Sequence, residues 1–171
     1  MSVSDLLLQA VNPNCADENG DSPLIRAAMC NYPFIVQLLL VAEAEPTLLN
    51  KNGFSALDLA IQEGHSDAVA ILITAFKDKD INLNQLNAHG FPVLAIAAQY
   101  GHDKVVELLI GNGALVNMPN KHGQTAIALA IANGHVSTVA LLLAHGATLP
   151  SFQISVKKNA QEIAELLSLV T

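Results

Sequence analysis

Tryptophan is absent from this sequence, and its 171 residues include only two cysteines, seven phenylalanines and tyrosines together, and eight basic side chains. Each scarcity excludes something. Cys15 and Cys30 form no framework of pairs and sit in no C-x-x-C, so a disulfide scaffold is not specified and a reducing interior suits them. Eight Lys and Arg stand against fifteen Asp and Glu, a formal net charge of -7, with no basic run. That balance argues against a nucleic-acid partner, because following a phosphate backbone takes clustered cations. Long apolar runs are missing too. Stretches such as Ala126–Ala132 and Val139–Ala144 stop well short of the roughly 18 residues a membrane-spanning helix needs. The opening MSVSDLLLQAVNPN has Asp5 and no cation, unlike a secretory signal. There is no G-x-S-x-G, no Gly-rich phosphate loop and no H-E-x-x-H, so the usual signatures of catalysis are lacking.

What the chain does have is apolar residues, 51% of the total, distributed in many short Ala- and Leu-rich runs. A disordered acidic chain would have far fewer. The runs recur in a frame. Asn19-Gly20, Asn52-Gly53, His89-Gly90 and His122-Gly123 place their glycines 33, 37 and 33 residues apart. Eleven residues after each glycine comes a second marker: Asn31-Tyr32, Gly64-His65, Gly101-His102 and Gly134-His135. Two markers in one register define a repeat, and a repeat decides the architecture.

Each period reads as two short helices. Ala56–Gln62 and Thr125–Ala132 are too densely apolar for a half-exposed strand and are rich in helix-forming Ala and Leu. The Gly or Asn that follows suits the left-handed conformation that ends a helix. Val69, Leu72 and Ile73, like Val106, Leu109 and Ile110, then return at the 3–4 spacing of one helix face. Asp67 and Asp103 fall early in that second helix, where a carboxylate complements the dipole. The 37-residue period adds about four residues within Phe76–Asn84, which predicts a longer connecting loop.

A 33-residue turn–helix–helix period resembles the ankyrin repeat. The residues that carry the resemblance are D-E-N-G-D-S-P-L at 17–24, with Ser22-Pro23-Leu24 in place of T-P-L, L-L-I-G-N-G-A-L-V-N at 108–117, and the three Gly-His pairs. The resemblance implies a single domain over 1–171, an all-α ankyrin-repeat solenoid with short turn fingers. Its repeats span 17–49, 50–86, 87–119 and 120–150. Residues 1–16 then contain an N-terminal capping helix (2–11), and 151–171 a C-terminal half-repeat with helices at 151–158 and 160–169. Lys157, Lys158, Gln161, Glu162 and Glu165 are expected to face water there. One departure stands out: the family's His after T-P-L is replaced by Ile25, Asp58, Ala95 and Ala128. Losing that tie predicts looser turns.

Several side chains admit a chemical and a structural reading. His65, His102 and His135 occur once per repeat, and layers of packed helices lie about 10 Å apart. Zinc ligands at about 2.1 Å from one ion must converge far more closely, so hydrogen bonding within the loop is the expected role. The turn-tip histidines fail the same test, and no metal or cofactor is expected. Asp78, Asp80, Asn82 and Asn84 alternate as in a calcium loop but lack its Gly and closing Glu. Cys30 next to the second marker leaves a thiol enzyme, with His65 as base, as a remote alternative.

The resemblance further implies a concave face, built from turn tips and first helices, that binds another protein. The positions on it are Glu18, Asn19, Asp21 and Met29 in the first copy, and Lys51, Asn52, Phe54, Gln62 and Glu63 in the second. The third copy contributes His89, Phe91, Gln99 and Tyr100, and the fourth Lys121, His122 and Gln124. Phe54, Phe91 and Tyr100 are the expected anchors, with Met29 beside them, since aromatic rings dominate interface energies; the alternative for Phe54 and Phe91 is that they fold back to cover the turns. Asp17, Glu18, Asp21 and Glu63 are expected to steer a basic partner. The expectation is a non-catalytic, monomeric adaptor, inhibitor or bacterial effector, cytoplasmic or delivered into a host cytosol. A self-assembling structural protein is the alternative.

Overall fold

The computed structural model describes residues 12–149 and 159–169. Among them the regular structure is helical: α1 (Pro23–Met29), α2 (Pro33–Val41), α3 (Ala56–Gln62), α4 (Ser66–Asp78), α5 (Val93–Tyr100), α6 (Asp103–Gly111), α7 (Ala126–Asn133), α8 (Val136–Ala144) and α9 (Ala160–Ser168). The expected N-terminal helix at 2–11 and first C-terminal helix at 151–158 lie outside the described residues. Helix α9 falls where the second C-terminal helix is expected, with Gln161, Glu162 and Glu165 exposed and Ile163 buried.

The chain forms two compact units, residues 1–82 and 83–171. In the first, α1 packs on α2 and α3, α3 packs on α4, and α2 lies against α4. In the second, α5 packs on α6 and α7, α7 on α8, α6 on α8, and α8 on α9. Each unit therefore repeats one operation, a first helix stacked on the next first helix and a second helix on the next second helix.

Small side chains make the first layer possible. In α3 every residue from Ala56 to Ile61 is buried, as is every residue from Val93 to Ala98 in α5 and from Ala126 to Ile131 in α7. Alanine in these runs permits close approach of neighbouring backbones, while Leu57, Leu94 and Ile127 fill the space between. The second helices bury one stripe only: Ala68, Val69, Leu72 and Ile73 in α4, Val105, Val106 and Leu109 in α6, Thr138, Val139 and Leu142 in α8. Burying one such Leu or Val contributes about 1.5–3 kcal/mol.

The helix ends follow from local chemistry. Ser22 Oγ accepts the Ile25 amide at 3.3 Å, and Pro23 occupies the first turn, where its missing N–H is no loss. Ser55 and Asp58 form a reciprocal capping box: Asp58 N–H donates to Ser55 Oγ at 3.1 Å, and Ser55 N–H donates to Asp58 Oδ2 at 2.9 Å. Asp58 is the residue that replaces the family's His in the second copy, and here it holds its own turn. At the opposite ends Gly64, Gly101 and Gly134 take φ of 73–79°, and Asn31 takes φ 55° in the first copy.

One expectation is corrected. The four extra residues of the 37-residue period do not lengthen a loop; they lengthen a helix. Helix α4 has 13 residues, whereas α2, α6 and α8 have 9. Four residues are close to one helical turn, so the buried stripe continues in register and Phe76 extends Val69, Leu72 and Ile73 into the core. Burying that ring stabilises helix beyond the usual stop, which the chain then makes at Asp80 with φ 54°.

Candidate partner-binding surface

The turns that carry the tip residues are organised by one side chain per copy. In the second copy the Asn50 carbonyl oxygen Oδ1 accepts the amides of Asn52 and Phe54, both at 3.0 Å. Backbone bonds from Asn50 N–H to the Phe54 carbonyl and from Gly53 N–H to the Asn50 carbonyl close the same finger. Asp17 Oδ1 does this for Asn19 and Asp21 at 2.8 and 2.9 Å. Asn87 Oδ1 does it for His89 and Phe91 at 3.0 and 2.9 Å, and Asn120 Oδ1 for His122 and Gln124 at 2.9 Å each. The side chain thereby mimics a further backbone turn, which is why Asn and Asp are favoured here. The absence of the family's His does not leave the turns untied. Asp17, Asn50, Asn87 and Asn120 recur in the glycine frame, and that spacing was the available signal for their role.

Neighbouring fingers within a unit are bonded to each other. Lys51 N–H donates to the Asn19 carbonyl at 3.0 Å, Lys51 Nζ to the Glu18 carbonyl at 2.8 Å, and Asn50 Nδ2 to Asp21 Oδ1 at 2.9 Å. In the second unit Lys121 N–H donates to the Gly90 carbonyl at 2.8 Å. The approach is close: a Cβ on Gly20 would meet the Lys51 backbone nitrogen at 2.8 Å, and one on Gly90 would meet Lys121 side-chain carbons at 2.4 Å and beyond.

On this frame the tips Glu18, Asn19, Lys51, Asn52, Lys121 and His122 are exposed, as are Glu63 and Tyr100 at the ends of α3 and α5. Met29, Phe54, Gln62, His89, Phe91, Gln99 and Gln124 are half-buried. Asp21 differs. It is buried, its carboxylate takes the Asn50 amide, and Arg26 Nη1 stands 3.7 Å from its other oxygen. Gln124 Oε1 is likewise engaged, accepting Asn120 Nδ2 at 3.1 Å. The Tyr100 ring stacks on His102 in the second unit, centroids 6.2 Å apart and planes 10° from parallel.

The helix-joining histidines are bonded within the fold. His65 Nε2 lies 3.1 Å from the Met29 carbonyl, and His135 Nε2 lies 3.0 Å from the Gln99 carbonyl. A carbonyl only accepts, so Nε2 carries the proton in both. Each histidine ties a first helix's last turn to the loop of the following repeat, 36 residues on. Cys30 is exposed and unpaired, and its amide caps α1 on the Arg26 and Ala28 carbonyls. Among the described residues no three His, Cys, Asp or Glu side chains converge as a metal site would require, and no helix is long and apolar enough to cross a membrane.

Away from the fingers, Glu45 accepts Thr47 Oγ1–H at 2.7 Å and lies 3.6 Å from Lys79 Nζ. The Thr47 hydroxyl bond, with the Thr47 amide and Lys79 in support, holds this carboxyl below its ordinary range against the opposing effect of burial. Compared with known proteins, the chain matches the family model described as Ankyrin repeats (3 copies) over residues 2–85 and again over 77–153.

Proposed function

Since the chain belongs to the ankyrin-repeat family, whose members generally mediate protein–protein interaction and are typically non-catalytic, we propose that it holds a partner protein on its finger tips and first-helix ends. The observation that carries this reading is a division of labour inside each finger. One Asn or Asp fixes the backbone through two bonds, and the side chains at the tips differ from copy to copy and are exposed apart from half-buried His89. A rigid frame with variable projections binds without a large ordering cost.

In the first unit the contact set is Glu18, Asn19, Asn52, Gln62 and Glu63, with Phe54 as the apolar component. In the second it is His89, Gln99, Tyr100, Lys121 and His122, with Phe91. Exposed Asp17, Glu18 and Glu63 favour a partner with basic side chains. Asp21 contributes to the finger rather than to the surface. The role is that of an adaptor or inhibitor acting by occupancy, in a cytosol. A thiol-enzyme role for Cys30 is disfavoured by membership of a family that is typically non-catalytic.

The test is affinity capture from a lysate with the wild-type chain beside Glu18→Arg/Asn52→Arg and Tyr100→Ala/His122→Asp variants, each matched to wild type in melting temperature. A protein retained by the wild type and lost by either variant supports the reading. Partners kept equally by all three chains refute it.

A further inference from the structure

The formal net charge of -7 comes entirely from one part of the sequence. Residues 1–82 hold eleven Asp and Glu against four Lys and Arg, whereas residues 83–171 hold four of each. That boundary is also the one between the two compact units. Within the second unit the acidic residues keep to one kind of element. Asp103 and Glu107 lie on α6, and Glu162 and Glu165 on α9. Neither finger, 87–91 or 120–124, contains a carboxylate, and neither do the first helices α5 and α7. In the first unit, by contrast, the fingers and first helices expose Asp17, Glu18 and Glu63.

Two lysines show the consequence at one position of the repeat. Lys51 and Lys121 each stand two residues before a finger glycine, and the backbone N–H of each bonds to the preceding finger. Lys51 Nζ donates to the Glu18 carbonyl at 2.8 Å, so its ammonium serves the fold. In the second unit Ala88 takes the place of Glu18. Lys121 lays its stem over Gly90, where a Cβ would stand 2.4 Å from Lys121 Cδ and 2.8 Å from its Cβ and Cγ. Among the described residues no hydrogen bond or ion pair engages the Lys121 ammonium or the His122 ring. Both side chains are exposed, on a finger whose backbone Asn120 fixes. His89, half-buried, occupies the position of His122 in the neighbouring finger.

We propose that the two fingers of the second unit bind a short Glu- or Asp-rich segment of the partner protein, through Lys121 Nζ and the His122 ring. The proposal rests on the reading that the finger tips are the partner surface, and it names the chemistry that this part of the surface selects. An ammonium has three donors, and an imidazole donates a ring N–H in either charge state, so both seek acceptors. Carboxylates supply them in charge-assisted bonds. Because the Lys121 stem is already placed, less side-chain freedom is lost on binding than for an unrestrained lysine. Following a phosphate backbone takes many clustered cations, and this surface has too few for that task.

The test is amide chemical-shift mapping on the isotope-labelled full chain at low and at physiological salt. The probes are a peptide of alternating Glu and Ser, one of alternating Lys and Ser, and oligothymidylate. The acidic peptide is expected to shift amides within 88–91 and 121–124. Lys121→Met keeps the stem and removes the charge, and it should weaken that binding. Lys121→Glu/His122→Glu should weaken it roughly tenfold, as two exposed attractions become repulsions. Lys104→Met removes the same charge from α6 and should leave the affinity unchanged. If the acidic peptide moves neither finger while the basic peptide shifts 17–19 and 62–63, the proposal falls and finger recognition stands. If both peptides shift only second-helix amides, both readings fall. Equal weakening by Lys104→Met, or tighter binding of oligothymidylate at the same amides, would also overturn the proposal.

Discussion

Asn120 shows how much one side chain can organise, since its Oδ1 serves two backbone amides and the residue is buried. Replacing it by Ala leaves two donors without that acceptor, and we expect a loss of about 1–3 kcal/mol in chemical denaturation. Asn120→Asp should cost much less, because Asp17 performs the same task in the first finger. Equal losses for both would show that the finger is not held this way. Two glycines make a second comparison. Gly101 and Gly123 share φ near 75°, but a Cβ on Gly101 would lie 2.5 Å from His135 Nδ1, whereas one on Gly123 meets nothing within 4 Å. Gly123→Ala should cost only the left-handed strain, roughly 1–2 kcal/mol, and Gly101→Ala distinctly more, read as melting temperatures. Glu45 offers a pH test. Its carboxyl is held low by Thr47 and Lys79, so its stabilising effect is present at neutral pH and fades as acid protonates the folded form. The stability difference between wild type and Glu45→Gln should therefore shrink on acidification, measured by denaturation at a series of pH values.

At the scale of elements, the sequence alone revealed most of the helices and misread one. The glycine frame and the 3–4 spacing located the helix pairs, because both depend on local chemistry: left-handed stops, capping serines and one apolar stripe per second helix. The extra turn of α4 was not legible that way. Lys77, Asp78, Lys79 and Asp80 look like a solvated loop, and only the burial of Phe76 beneath them decides for helix. Phe76→Ala is expected to cost about 3–5 kcal/mol, as for a core ring, where a loop residue would cost under 1 kcal/mol. Finger organisation was hidden for another reason. The spacing of Asp17, Asn50, Asn87 and Asn120 was visible, but their side-chain acceptors matter only once the backbone turns back on them. Asp21 likewise looked like a surface carboxylate, and its burial arises from Asn50, 29 residues away. Between second helices, Thr138 Oγ1 donates to Asp103 Oδ1 and is wholly buried. Thr138→Val should destabilise the second unit by about 1–3 kcal/mol, and by far less in an Asp103→Ala background if that bond is the cause.

For the whole molecule, a net charge of -7 and the absence of basic runs set the kind of partner that is attracted over distance. Association should slow as salt rises from low to physiological strength, with dissociation little changed, if acidic steering operates. The family, the helical class and the repeat period were all readable from the residues, because a repeat writes the same physical requirement several times. Which face meets a partner is not written redundantly, because under the proposed reading it is carried by the positions that differ between copies. The most direct measurement is hydrogen–deuterium exchange of the chain alone and in complex with a captured partner. The account predicts new protection at the finger tips around residues 18–19, 51–52, 88–89 and 121–122 and at the ends of α3 and α5. It predicts none on the outer faces of α4, α6 and α8. Protection confined to those second helices, with the fingers unchanged, would contradict it.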